Sequence, residues 1–307
     1  MNDDRRTHEA SSLRAFFDEQ IHYLQELVGG LGSHIREEEQ LTAEDRRIVE
    51  TFVDASNSRM RAVHGYSHKL RDHIRALYNH ILQIADQIPP PIDLTPDAFR
   101  TVPLVNALFV YSKDIDRLFK TDQAIEAYLR AHDNYQVPVL YALLTAGKSE
   151  THAFGIGLLG DMLVRDVSRQ TVNFSSHKIH CPCASSAELG TALKNYLFDG
   201  VVALVKQEMA SRMADKPFIR SDERYESKVR SLANPEVYLK TLIEYLETPG
   251  NLLRIDKTHF KLNKLGIKLE SDDKQCANEF DIHELTWKGN IRQVLMQIAY
   301  ARQGHAQ

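Results

Sequence analysis

Residues 49–88 read VETFVDASNSRMRAVHGYSHKLRDHIRALYNHILQIADQI, and apolar positions step through them alternately by three and four. The series is Val49, Val53, Ser56, Met60, Val63, Ser67, Leu70, Ile74, Leu77, Ile81, Ile84 and Ile88. Ten of these twelve are apolar, and both exceptions are small serines. A 3.5-residue spacing held this long keeps one narrow stripe of a helix against a partner helix, the geometry of a coiled coil. The interaction seam is therefore expected at Met60, Val63, Leu70, Ile74, Leu77, Ile81 and Ile84. Such an element makes contact with another helix before it does chemistry.

Working outward, Thr42 can cap the seam helix, with Asp45 closing a loose capping box. Pro89-Pro90-Pro91 stop it, because proline supplies no donor and forces its predecessor out of the helical region. One continuous rod over this span is about 65 Å long at 1.5 Å per residue. Upstream, Leu13, Phe17, Leu24, Leu27 and Leu31 mark an amphipathic helix that Gly29, Gly30 and Gly32 end. Folded back, it covers only part of the rod, so the remaining seam needs the rest of the chain or a second copy. The polyproline and Ile92-Asp93-Leu94-Thr95-Pro96 form a stiff connector.

Beyond it the rhythm changes. Val105 to Tyr111 reads as a short buried strand, and Ser112 or Asp114 caps helical material to about Arg130. Val137 to Leu144 has strand length, and Thr151 to Ser175 alternates as an antiparallel meander turning at Gly160-Asp161. A helix spans Ala187 to Met213 on Leu189, Leu193, Leu197, Val201, Leu204 and Met209. Lys216 to Ser231 is a charged linker, Pro235 to Glu247 a helix, and Leu253 to Leu269 short strands or a short helix. Phe280 to Trp287 and Ile291 to Ala301 form a hairpin about Lys288-Gly289-Asn290. The class is α+β: a long helical hairpin or coiled-coil arm, then a mixed body with a β-meander, packing helices and a C-terminal β-hairpin. Domains are expected at 1–91, 92–215 and 216–307.

The chain has 307 residues, room for about two ordinary domains. Its 43% hydrophobic and 26% charged content excludes global disorder. With 38 basic and 42 acidic residues the net charge is −4, so nucleic acid and anionic membrane exert no bulk attraction. No apolar stretch approaches the ~20 residues that span a bilayer. The first residues lack a secretory pattern, and three cysteines suit a reducing compartment better than a disulfide framework. The expected location is the cytoplasm, without membrane contact.

The densest potential ligand set is His177, His180, Cys181 and Cys183, whose imidazoles and thiolates suit zinc or redox work. Four ligands in seven residues rarely wrap one ion, and no second pair accompanies them. His64, His68 and Asp72 sit one turn apart beside the seam, on a face that Arg61, Lys69, Arg71 and Arg75 make cationic. Gly155, Gly157 and Gly160 match a dinucleotide fingerprint by letter, without the strand-then-helix context its mechanism needs. Gly147-Lys148-Ser149 resembles the end of a phosphate loop, but Ala142 stands where that motif requires glycine. His152, Asp161, Arg165, Asp166 and His177 make no convincing catalytic constellation. For nucleic acid, Lys257, Lys261, Lys264, Trp287, Lys288 and Arg292 combine phosphate contacts with a stacking ring.

These features favour a non-enzymatic interaction or scaffold protein, self-associating or docking a protein partner through its N-terminal helices. Two readings stay open beside it: a nucleic-acid-associated protein using the C-terminal lysines and Trp287, and a metal-binding or redox protein centred on His177 to Cys183. No cofactor is expected apart from zinc at that cluster.

Overall fold

A computed structural model describes residues 37–131, 137–159, 162–214, 234–263, 265–269 and 277–302. The expected helix at Leu13 to Leu31, the linker at Lys216 to Ser231, and Lys264 lie outside these residues. In chain order the elements are α1 (Glu37–Ser56), a 3-10 turn (Ser58–Ala62), α2 (Tyr66–Gln87), β1 (Ile92–Asp93), α3 (Pro96–Thr101) and α4 (Pro103–Leu108). There follow α5 (Ser112–Thr121), α6 (Gln123–Ala131), β2 (Val139–Leu159), β3 (Met162–Cys183) and α7 (Ser186–Ala214). The chain then forms α8 (Pro235–Leu246), α9 (Pro249–Leu252), β4 (Leu253–Leu262), β5 (Asn278–Trp287) and β6 (Ile291–Ala301). Helices and an antiparallel sheet with a C-terminal hairpin make the class α+β.

Two compact units divide these elements: residues 1–83 with 194–253, and residues 84–193 with 254–307. These divisions do not coincide with the expected boundaries after residues 91 and 215. Long-range burial joins segments that composition alone assigns to successive domains.

The seam, which runs through the first unit to Ile81 and ends with Ile84 and Ile88 of the second, is buried but is not one rod. All ten apolar seam positions are buried, Met60, Leu70 and Ile81 completely. The helix nevertheless breaks between Ser56 and Tyr66. Asn57 turns extended (φ −162°), its side chain accepts the Arg59 N–H, and a 3-10 turn follows. Gly65 then takes φ +69°, a left-handed conformation that glycine adopts without steric cost. The expectation of a continuous coiled-coil rod is thus corrected: the seam is shared by two helices and a tight turn. Thr42 likewise lies inside α1, which begins at Glu37, and is not its N-cap. Arg61 bridges Glu50 and Asp54, and Arg71 and Arg75 reach Asp45, so charges fasten α1 to the turn and to α2. Phe52 meets Phe198 of α7 edge to face at 5.6 Å, an aromatic arrangement favoured by the ring quadrupoles. A ring nitrogen of His80 lies 2.8 Å from the Leu253 carbonyl. The stripe on α7 is buried from Leu189 to Met209 as the spacing implies.

The second unit is a curled sheet around short helices. Its strand order is β3-β2-β6-β5-β4, with β1 pairing parallel to β6. Residues 139–146 of β2 pair with 294–301 of β6, and Glu284 to Trp287 pair with Val294 to Ile291. After β4 the chain turns at Gly266; its Asn263 N–H bonds Ile267 and its Leu269 N–H bonds Lys261. The same return segment bonds β3, Val172 N–H to Gly266 O and Lys268 N–H to Gln170 O. The sheet is therefore drawn round until its two ends are joined. Leu140, Ala142, Leu144, Val172, Phe174, Phe260, Ile282, Met296 and Ile298 form one core with Val105, Leu108, Ile115, Phe119 and Ile125 of the helices.

Val105 to Leu108 belong to α4, which corrects the expected strand there. Pro103 sits in its first turn, where the missing N–H costs nothing, and a short apolar run has no period that separates strand from helix. The helical material expected after Ser112 consists of two helices, α5 and α6, that meet at Asp122. One Asp122 oxygen accepts from Ala124 and Ile125, and the other accepts from Ile179 of β3 at 3.3 Å. The expected meander is one long hairpin, paired as far as Leu159 with Met162, and the expected turn at Gly160-Asp161 lies outside the described residues. The C-terminal hairpin closes as expected, with Gly289 at φ +86° and Asn290 at φ +62°.

Candidate functional site

The four clustered ligand residues go separate ways, because two bulges break the alternation of β3. At the first, Ser176 takes φ +54°, and at the second Cys181 takes φ +52°. His177 stacks on Phe109, with centroids 4.7 Å apart and planes 17° from parallel. His180 Nε2 lies 3.0 Å from Thr145 Oγ1, and Cys183 Sγ donates to the Tyr141 and Ser185 carbonyls. Burial pushes the Cys183 thiol up to about 12, so it is not the thiolate that metal binding or redox exchange uses. Among the described residues no three His, Cys, Asp or Glu side chains are grouped to hold an ion. The expectation of one shared zinc ion at His177, His180, Cys181 and Cys183 is corrected accordingly. His64, in the turn before α2, and His68 and Asp72 on α2 are all exposed.

The C-terminal residues expected at nucleic acid are also dispersed. Lys257 Nζ is 2.8 Å from Asp281 and Lys261 Nζ is 4.0 Å from Glu279, cross-strand pairs between β4 and β5. Trp287 is only 5% exposed, so its ring is not presented to a base, and this part of the expectation is corrected. Lys288 and Arg292 flank the β5–β6 turn, with Arg292 exposed. Lys148, the lysine of the apparent phosphate loop, is engaged by Glu150 and Glu284 at 2.9 Å each. Of the letter-matched glycines, Gly155 and Gly157 lie in β2 and the next element is the strand β3, not a helix, while Gly160 lies outside the described residues.

Two surfaces remain. The first is the distal part of the β2–β3 ribbon. The sheet supports β2 to Ala146, and the Gly266 turn supports β3 at Gln170 to Val172. Beyond the His152–Gln170 pair, strands 153–159 and 162–169 have only each other among the described residues. Each extends about 25 Å further at about 3.3 Å per residue. Ala153, Phe154, Arg165 and Ser168 are exposed, Phe154 to 79%.

The second is a groove of about 440 Å³ lined by Leu108, Phe109, Val110, Asp114, Arg117, Leu118, Thr121, Phe174, Ser175 and His177. Val110 and Tyr111 stand exposed at 73% and 59%. The buried Nε2 of His177 has no hydrogen-bond partner among the described residues. Burial holds this imidazole below the ordinary histidine range despite a hydrogen bond to the Leu108 backbone and the nearby Asp114 charge. Asp114 caps α5 by accepting the Tyr111 N–H, and Arg117 approaches it at 3.5 Å. Sequence reading passed over this groove because Val105 to Tyr111 looked like one buried strand. The signal was Pro103, which starts a helix that ends before Val110.

Comparison of the chain with protein-family models, with curated proteins and with solved structures finds no match. Among the described residues no helix is long and apolar enough to cross a membrane.

Proposed function

We propose that this is an interaction protein that assembles with a second copy of itself through the distal β2–β3 ribbon. The observation that carries the reading is the ribbon beyond residues 152 and 170, two strands wide with Phe154 at 79% exposure. Two-stranded ribbons are marginal in water, and their edges offer unpaired N–H and C=O groups as templates for a further strand. The seam first read as the docking surface is buried in the folded chain, so self-association falls to the ribbon.

Charge favours a second copy as occupant. Residues 148–169 carry Lys148, Arg165 and Arg169 against Glu150, Asp161 and Asp166, a balanced set. Such an arm generates no net field toward nucleic acid or an anionic membrane. The cytoplasmic location drawn from the cysteine count belongs to the same proposal.

Sedimentation equilibrium over a range of concentrations tests it, with Phe154→Asp as the comparison. The expected result is a reversible dimer for the native chain and a monomer of unchanged melting temperature for the variant. A native chain monomeric throughout, or a dimer indifferent to Phe154→Asp, overturns the reading.

A further inference from the structure

The core-facing side of the sheet changes character at its ribbon end. Ala142, Leu144 and Ala146 of β2 lie in the core, as do Phe280 and Ile282 of β5. Strand alternation carries Lys148 and Glu150 onto the first of these faces and Glu284 onto the second. Charged groups therefore stand where the apolar core would otherwise continue. The side chains of Lys148 and Glu284 are only 12% and 8% exposed.

Backbone pairing gives out at the same place. The β2–β6 register ends at Ala146 with Val294, and Val294 pairs in turn with Glu284. Two residues further along β2, Lys148 reaches across to Glu284 of β5 at 2.9 Å and holds Glu150 of its own strand at 2.9 Å. Glu150 also accepts from the side-chain amide of Gln170 on β3. The Lys148 ammonium stands 5.5 Å from the centroid of the buried Phe260 ring of β4, within cation–π range. Burial works against the charge on Lys148, but the two carboxylates outweigh it and hold the ammonium above its ordinary range. One side chain thus joins β2, β4 and β5, and through Glu150 also β3, where the ladder of backbone bonds has stopped.

We propose that Lys148 is a lock at the base of the ribbon, fixing the direction in which residues 153–169 leave the sheet. An arm held in one direction loses less freedom on association than an arm that swings, so the lock favours pairing with a second copy. The lock stands on the geometry of its own residues, and its effect on association rests on the ribbon reading above.

Lys148→Met with Glu284→Gln removes the lock without leaving a buried charge unpaired. Amide hydrogen exchange is read on the full chain at the lowest workable concentration, where association contributes nothing. Exchange over 147–152 should become about tenfold faster or more, while 139–146, paired with β6, keeps its native rate. Lys257→Met with Asp281→Asn removes an exposed β4–β5 ion pair and should change neither segment. In sedimentation equilibrium the Lys148→Met, Glu284→Gln variant should dimerise about tenfold more weakly than the native chain. Native exchange over 147–152 in that variant overturns the lock. So does equal acceleration over 139–146, which marks general loosening, or acceleration over 147–152 by the exposed-pair variant. Faster exchange over 147–152 with undiminished dimerisation overturns the link to association. A native chain monomeric throughout overturns the ribbon reading and this link together, and exchange over 147–152 then decides the lock by itself.

Discussion

Gly266 is the residue on which closure of the sheet turns. Its φ of +74° is left-handed, and a Cβ there would stand 2.8 Å from the Val172 carbonyl oxygen, the backbone it must approach to join β4 to β3. Backbone cannot swing aside as a side-chain tip can. Gly266→Ala is therefore expected to cost about 2 kcal/mol, read as a lower urea midpoint. Asp199 on α7 makes a different kind of statement. Burial alone raises its carboxyl from 3.8 to about 7, so the folded chain holds a proton that the unfolded chain releases. Its contribution to stability is full below about pH 4 and is lost as the pH rises through about 7. Asp199→Asn should match the native chain near pH 4 and exceed it by about 4 kcal/mol at pH 8. Denaturant titrations at the two pH values check the sign, and an equal gain at both refutes burial as the cause.

Among elements, the α1–turn–α2 segment shows what spacing does and does not convey. Burial of Met60, Leu70, Leu77 and Ile81 follows from the three-and-four step, because any helix packed on that stripe keeps the same residues dry. Leu70→Ala, at a fully buried position, should lose about 3 kcal/mol by thermal melting, whereas Asp72→Ala two residues on should change little. The break was harder to read, since Asn57 and Gly65 are single turn residues inside a run whose apolar period continues across them. Likewise the alternation of 151–175 shows a strand pair, but whether a third strand joins it depends on partners far along the chain. The groove was invisible for a related reason. His177 is aimed by a bulge at Ser176, a non-glycine residue in a left-handed conformation that no local pattern announces. Trp287 looked like a stacking platform only while its face of β5 was unknown; it is 5% exposed.

At the scale of the whole molecule, the sheet of the second unit is closed at one end and open along the ribbon. Where β6 and the Gly266 turn give out, two strands continue alone among the described residues; in the proposed dimer a second copy supplies the missing neighbour. Amide hydrogen exchange on peptides covering 153–169, followed as protein concentration is raised, tests this most directly. If a second copy pairs with the ribbon, protection of those amides rises with concentration, and Phe154→Asp abolishes the rise. Protection that stays flat with concentration, or that changes only outside 153–169, contradicts the account.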